Sequence, residues 1–97
     1  MSKIVIVAKV KIKDEFKEEV YNELIALHKS THQLDKGCIQ YDLHKDLEDS
    51  NSFTFVETWE SPELLEIHMN SEHFGLFAKK IEDKLDSLEI SKLEKLI

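Results

Sequence analysis

The chain has 97 residues, which predicts one domain over residues 1–97 and leaves little room for a second core. Its formal net charge of −7 argues against a general nucleic-acid binder and against attraction to an anionic membrane surface. The single cysteine cannot form an internal disulfide, and no apolar run is long enough to span a bilayer. We therefore expect a cytoplasmic protein without nucleic-acid or membrane partners.

The first half of the chain predicts a strand, a helix and a second strand. Apolar residues alternate over residues 3–12, and the first half of this strand is apolar on both faces. Asp14 is the predicted N-cap of a helix whose apolar stripe starts at Phe16 and fades near residues 33–36. Gly37 is the predicted turn residue before a strand over 38–45.

The segment after this strand predicts a hairpin and a third strand. Residues 47–52 are polar and acidic, which is typical of a hairpin loop, and residues 53–59 predict the strand. One face of this strand carries Phe53, Phe55, Glu57 and Trp59. Three aromatic rings and one carboxyl group on a single face predict the wall of a small-molecule pocket.

The last third predicts helical structure interrupted once, followed by a strand. Ser61-Pro62-Glu63 is a strong helix start, because it combines a cap, a proline at the first helical position and an acid. Asn70-Ser71-Glu72 predicts a break and a new cap, and a final strand is expected within residues 88–96.

The predicted order is β-α-β-β-α-β. Two β-α-β halves with right-handed crossovers give an α+β, ferredoxin-like sheet with the helices on one face. Val5, Val7 and Val56 would then lie on the other face. Burying a side chain of this size is worth roughly 1.5–3 kcal/mol. We therefore expect a homodimer in which two sheets pack face to face around a two-fold axis.

Several spaced residues resemble the antibiotic biosynthesis monooxygenase domain, in particular the small stand-alone bacterial members that are candidate quinol monooxygenases. They run Gly37-Cys38-x-x-Tyr41-x-Leu43, then Phe53, Glu57-x-Trp59-Glu60-Ser61, Leu65-x-x-His68 and Ser71-x-His73-Phe74-x-x-Phe77. The resemblance implies a dimeric α/β barrel with a pocket between each sheet and its helices. It also implies oxygenation of a small phenol, anthrone or quinol by O2 without a metal or flavin cofactor.

His68 and His73 are the candidate catalytic residues. A cofactor-free oxygenation needs a base that removes a proton from the substrate, and an imidazole with a pKa near 6.5 suits that role. In one continuous helix, five residues at about 100° each would place these rings on different faces. They can share a site only if the helix breaks near Ser71. The alternative is that both rings hydrogen-bond the backbone or cap the break.

The predicted substrate-binding residues surround these histidines in the sequence. They are Trp59, Phe55, Tyr41, Glu57, Phe74 and Phe77. Glu57 is the exception among the aromatic rings, so it is either held by an ion pair or hydrogen bond, which we favour, or has a raised pKa and acts as an acid or base. Trp59 and Tyr41 have core packing as their alternative role.

Other activities within the family have weaker support. For haem degradation, the first strand offers Ala8 and no Asn, while His68 and Ala78 stand where a Trp and a His would be expected. An isomerase of a small phosphorylated diketone needs a phosphate site, and only isolated lysines such as Lys79 and Lys80 are present. A non-catalytic ligand-binding or stress-response dimer would use the same pocket, and the sequence does not separate it from the oxygenase.

Metal and nucleophile chemistry have little support in the sequence. His28 and His32 have the i, i+4 spacing of a chelating pair, but Lys29 departs from the zinc-protease pattern and no further ligands follow, so no metal site is predicted. Cys38 has no histidine close by in the sequence, which favours a buried thiol over a nucleophile.

Overall fold

A four-stranded antiparallel sheet with helices on one face forms the protein. The computed structural model describes residues 3–97. The elements are β1 (Ile4–Ile12), a 3₁₀ turn (Asp14–Phe16), α1 (Lys17–Leu34), β2 (Cys38–Lys45), β3 (Ser52–Trp59), α2 (Pro62–Met69), α3 (Glu72–Ile81) and β4 (Leu85–Glu94). The strand order β2-β3-β1-β4 confirms the predicted α+β, ferredoxin-like fold, with the second helical segment divided in two. None of the helices described is long and apolar enough to cross a membrane.

The strand register puts Glu57 in the middle of the helix-covered face of the sheet. Ile6 of β1 lies opposite Glu57, and Ala8 lies opposite Phe55. On its other side, Glu57 lies opposite Tyr41 of β2. All five residues are buried, so the carboxyl group stands within the main hydrophobic core rather than at its edge.

The opposite face of the sheet is apolar at its centre. Val7 lies opposite Val56 of β3, and Val5 lies opposite Leu93 of β4. The three valines are only partly buried, and Leu93 is half exposed. This helix-free face therefore presents a cluster of aliphatic side chains to solvent in the isolated chain.

The predicted cap of α1 is wrong, because a 3₁₀ turn precedes the helix. Phe16 N–H bonds to the Lys13 carbonyl at 2.9 Å, which tightens this turn, and α1 begins at Lys17. Phe16 stands at the N-cap position and provides no side-chain hydrogen bond. The Asp14 carboxylate instead accepts a hydrogen bond from the Asn51 side chain at 3.3 Å.

The predicted break between α2 and α3 is confirmed, and each helix has its own serine cap. Ser61 Oγ accepts a hydrogen bond from Leu64 N–H at 3.2 Å, and Pro62 follows as the first helical residue. Ser71 Oγ accepts from Phe74 N–H at 3.3 Å. Each cap satisfies a backbone donor that the helix itself leaves free, so α2 and α3 are two separate helices.

The turn from α1 into β2 lies directly against α2. Gly37 has a φ of +81°, and a Cβ atom there would stand 2.4 Å from Leu64 Cδ1. Glycine satisfies both demands, since it has no Cβ and adopts positive φ readily. Its carbonyl accepts a hydrogen bond from Glu60 N–H at 2.8 Å, which ties the end of β3 to this turn.

Candidate functional site

A small cavity lies between the sheet and the helices α2 and α3. Its volume is about 110 Å³ and its wall is mostly apolar. Three buried ionisable side chains, Tyr41, Glu57 and His68, line it, and Lys92 lies at its rim. The cavity opens along the edge strand β4, where the lining residues Leu88 and Ile90 are half exposed.

A larger depression of about 590 Å³ lies between α1 and β2. It is open to solvent and is lined by residues such as Lys17 and His44, with none of the predicted site residues among them. The smaller, more enclosed apolar cavity is therefore the better candidate site, because it can remove more of a small ligand from water.

The structure brings most, but not all, of the predicted site residues to this cavity. Those that line it are Tyr41, Phe55, Glu57, His68, Phe74 and Phe77. Trp59 is fully buried behind the cavity wall, with its ring centroid 4.6 Å from that of His68. His73 instead faces a separate groove between α1 and α3, together with Ser30 and Lys80.

The two histidines meet at a carboxylate that the sequence analysis did not identify. Asp35 Oδ2 lies 2.5 Å from His68 Nδ1 and 2.8 Å from His73 Nε2. The Asp35 side chain is 7% exposed and that of His68 is 2% exposed, so the pair is almost dry. The break at Ser71 makes this possible, and Ser71 Oγ donates a hydrogen bond to the His68 carbonyl at 2.6 Å.

Asp35 follows the last residue of α1, where its N–H bonds to the Thr31 carbonyl at 3.1 Å. It is 33 residues from His68 in the chain. An acidic residue at the end of a helix is common on protein surfaces, so no local pattern indicates its burial. The only available signal was its place two residues before Gly37, whose turn lies against α2.

Aromatic rings surround the His68 imidazole. The ring centroid of Phe74 is 5.0 Å away and that of Tyr41 is 5.6 Å away. Burial lowers the pKa of His68 below its ordinary value, and the hydrogen bond and charge of Asp35 offset part of this effect. At neutral pH the ring is therefore neutral and can accept a proton.

Glu57 is held by a hydrogen bond and not by an ion pair. Trp59 Nε1–H donates to Glu57 Oε1 at 2.9 Å, and none of the ion pairs among residues 3–97 includes Glu57. Burial raises the pKa of the carboxyl group from 4.5 to about 7, although the Trp59 hydrogen bond acts in the opposite direction. Burial and the Glu57 charge also raise the pKa of the neighbouring Tyr41.

The other residues considered for metal or thiol chemistry lie outside the cavity. The rings of His28 and His32 are 4.4 Å apart, and His32 Nε2 donates to the Tyr41 carbonyl at 3.1 Å. Burial raises the pKa of the partly buried Cys38 to about 11, so it is a thiol at neutral pH rather than a nucleophilic thiolate. Among the described residues, one group has its potential ligand atoms close enough to hold a metal ion, namely Asp35, His68 and His73.

Comparison with known proteins identifies relatives over most of the chain. The family model described as antibiotic biosynthesis monooxygenase matches residues 3–80. An uncharacterised protein of Synechocystis is 33% identical over 85 residues, covering 84% of this chain and 55% of that protein. The chain thus spans about half the length of that relative. A candidate monooxygenase of Bacillus subtilis, YcnE, is 30% identical over 84 residues, covering 87% of both chains.

Solved structures share the whole fold. The protein PA3566 of Pseudomonas aeruginosa has a TM-score of 0.90 at 33% identity, covering 100% of this chain and 97% of its own. A conserved protein of Methanosarcina mazei has a TM-score of 0.90 at 31% identity, covering 99% and 95%. A candidate antibiotic biosynthesis monooxygenase of Caulobacter crescentus reaches 0.92 at 18% identity, covering 99% and 92%, which is a likeness of fold alone. Because the family model spans residues 3–80, the chain belongs to the antibiotic biosynthesis monooxygenase family.

Proposed function

We propose that the protein is a cofactor-independent monooxygenase that oxidises a small aromatic quinol or phenol with O2. The observation that carries the proposal is a neutral, buried His68 at the wall of a small apolar cavity. Membership of the family supports the reaction class, as does the similarity to the candidate monooxygenase of B. subtilis.

The size of the cavity favours a single aromatic ring. Its volume of about 110 Å³ is somewhat smaller than the roughly 150 Å³ apolar cavity that holds benzene, so a single ring is the largest group it suits and part of that ring would lie in the opening. The opening along β4 leaves room for a substituent beyond the ring. A haem macrocycle is far too large for this space, which argues further against haem breakdown.

The proposed reaction begins with a proton transfer. His68 Nε2 is the ring nitrogen that faces away from Asp35, and it has no hydrogen-bond partner among residues 3–97. It removes the proton from a substrate hydroxyl group, which leaves an electron-rich anion. The anion transfers one electron to O2, and the resulting radical and superoxide combine at a ring carbon to give a peroxide. Loss of water from the protonated peroxide leaves one oxygen atom in the product and one in the water.

Glu57 suits the protonation of the peroxide in this scheme. Its pKa of about 7 leaves much of it protonated at neutral pH, and it lines the same cavity as His68. Two groups whose burial displaces their pKa values in opposite directions provide a base and an acid in one site.

We also propose that the working unit is a homodimer. The helix-free face exposes Val5, Val7, Val56 and Leu93, which a second sheet would cover. Four aliphatic side chains, each worth roughly 1.5–3 kcal/mol when fully buried, favour such packing. A two-fold axis would use the same face in both copies.

Oxygen uptake with a panel of substituted hydroquinones tests the catalytic proposal. We expect uptake with at least one of them, and incorporation of one atom of ¹⁸O2 into the product. His68→Gln should lower the rate by roughly 10²- to 10⁴-fold, the usual contribution of a general base. His44→Gln, at an exposed position of β2, is the matched control and should leave the rate unchanged. If the wild-type protein binds these compounds but consumes no oxygen, it is a binding module instead.

Light scattering coupled to size exclusion tests the dimer. We expect twice the chain mass at micromolar concentration, and Val7→Lys should shift the protein to a monomer because it places a charge at the centre of the helix-free face. Ile67→Lys is the matched control, since Ile67 is 63% exposed on α2. A monomeric wild-type protein, or a Val7→Lys variant that stays dimeric, would contradict this arrangement.

A further inference from the structure

One carboxylate oxygen serves both histidines of the site. Asp35 Oδ2 is within hydrogen-bond distance of His68 Nδ1, at 2.5 Å, and of His73 Nε2, at 2.8 Å. The sequence had left open which of these two histidines is the base. Their geometry about the shared oxygen distinguishes them.

A carboxylate can only accept hydrogen bonds, so each ring nitrogen that contacts it must carry a proton. His68 then has its proton on Nδ1, and a neutral ring in that form has its lone pair on Nε2. His73 has a proton on Nε2, and its ring faces the groove between α1 and α3 rather than the cavity. Only His68 therefore presents a basic nitrogen from the cavity wall.

We infer that Asp35 is a positioning residue that makes His68 the base. It holds the imidazole in the form with Nδ1 protonated, and its negative charge lies beside the imidazolium that forms when Nε2 accepts the substrate proton. This inference rests on the proposed oxygenase function. His73 contributes a second donor to the same oxygen and so fixes the position of the carboxylate.

The same three residues could be read as a two-histidine, one-carboxylate metal site. The distances argue against that reading. Two ligands held at about 2.1 Å from one ion are roughly 3.4 Å apart in a tetrahedral site and roughly 3 Å apart at right angles. The contacts of 2.5 and 2.8 Å lie in the range of charge-assisted hydrogen bonds, so we assign a proton to each of them.

The protonation state of each ring can be measured without any turnover. A long-range ¹H–¹⁵N correlation spectrum of protein labelled at histidine separates the Nδ1–H and Nε2–H forms. His68→Gln and His73→Gln assign the signals. We expect the Nδ1–H form for His68 and an Nε2 proton on His73. A wild-type His68 with its proton on Nε2 overturns the inference. This measurement uses the wild-type ring, so it depends neither on the folding of an Asp35 variant nor on activity.

The Asp35→Asn variant tests whether Asp35 keeps the proton of His68 on Nδ1. The amide can donate to His68 Nδ1, so we expect part of the His68 signal to move to the Nε2–H form. An unchanged His68 spectrum in this variant overturns the inference. Addition of Zn²⁺ to chelator-treated wild-type protein should leave the signals of both rings in place. A joint shift of both rings would make the trio a metal centre and would also overturn it.

Kinetics with a hydroquinone that the wild-type protein oxidises complete the test. Asp35→Asn should lower kcat by up to roughly 10⁴-fold, the loss that the same change causes in the Ser-His-Asp triad, and should leave KM within about twofold. Asp35→Glu should recover part of the loss, and Asp86→Asn, at an exposed position of β4, is the control. A normal kcat in Asp35→Asn overturns the inference. If no hydroquinone is oxidised, the proposed function fails, while the spectra still decide whether Asp35 fixes the ring.

Discussion

Replacing Glu57 by Gln removes a buried carboxyl group but keeps an oxygen that can accept the Trp59 indole hydrogen bond. Burial raises the pKa of Glu57 from 4.5 to about 7, so the folded protein binds this proton more tightly than the unfolded chain does. The resulting stabilisation is fully present below pH 4.5 and is lost as the pH rises to about 7. Above that pH, the wild-type protein must keep an ionised carboxylate in its core.

The size of this pH-dependent stabilisation follows from the difference between the two pKa values of Glu57, 4.5 and about 7. At about 1.4 kcal/mol for each pH unit, the shift corresponds to about 3 kcal/mol in total, most of which falls between pH 5 and pH 8. Glutamine is neutral throughout. We therefore expect the free energy of unfolding of Glu57→Gln, relative to wild type, to rise by about 2–3 kcal/mol between these two pH values. His68 titrates in both proteins, so its contribution cancels in the comparison.

Urea unfolding at pH 5 and pH 8 measures this difference. Trp59 is the only tryptophan and lies beside Glu57, so its fluorescence reports the transition locally, and circular dichroism provides a second probe. Protein concentration must be equal in all samples because association would add to the apparent stability. Glu48→Gln is the control for removing a charge at an exposed position. A Glu57→Gln difference that is the same at both pH values would refute the reasoning, because the carboxyl group could not then be titrating in the folded core.

Two further predictions concern the turns that hold the site. Gly37→Ala should destabilise the protein by about 2 kcal/mol or more, because the alanine would have to keep the positive φ and its Cβ would collide with Leu64 of α2. Gly75→Ala has open space around it within α3 and should be stabilising by roughly 0.5–1 kcal/mol, so urea unfolding of the two variants should move in opposite directions. Ser71→Ala removes the acceptor of Phe74 N–H and should cost about 1 kcal/mol. Amide exchange should then be faster in the first turn of α3 but unchanged in Ser87→Ala, and equal exchange would contradict the capping role.

The sequence was sufficient for the fold because its signals are local. Alternating apolar residues marked β1 and β3, and the two serine caps marked the starts of α2 and α3. The limits of β4 were less accurate, since it begins at Leu85 rather than near residue 88. It is a mostly exposed edge strand, so burial imposes little alternation on its sequence.

The site depended on contacts that no local pattern contains. Strand alternation correctly put Trp59 on the same face as Phe55 and Glu57. The end of β3 is covered by α2, so the Trp59 ring packs against His68 and does not line the cavity. Helical spacing showed that the two histidines need a break between them. It could not show that His73 would face another groove, because that depends on the direction in which α3 leaves the break.

The lowered pKa of His68 and the raised pKa of Glu57 have one physical origin. An apolar wall is needed to hold a neutral aromatic ring, and the same wall lowers the pKa of His68 and raises that of Glu57. At pH values a little below 7, most of Glu57 is protonated and His68 is mostly neutral, so the core largely avoids the cost of a buried, unpaired ion. Charge develops only when a proton moves to His68, and there Asp35 already lies 2.5 Å from the ring. A carboxylate that bonds the neutral ring and attracts the imidazolium more strongly favours the transition state over the resting state, which is the condition for catalysis rather than binding.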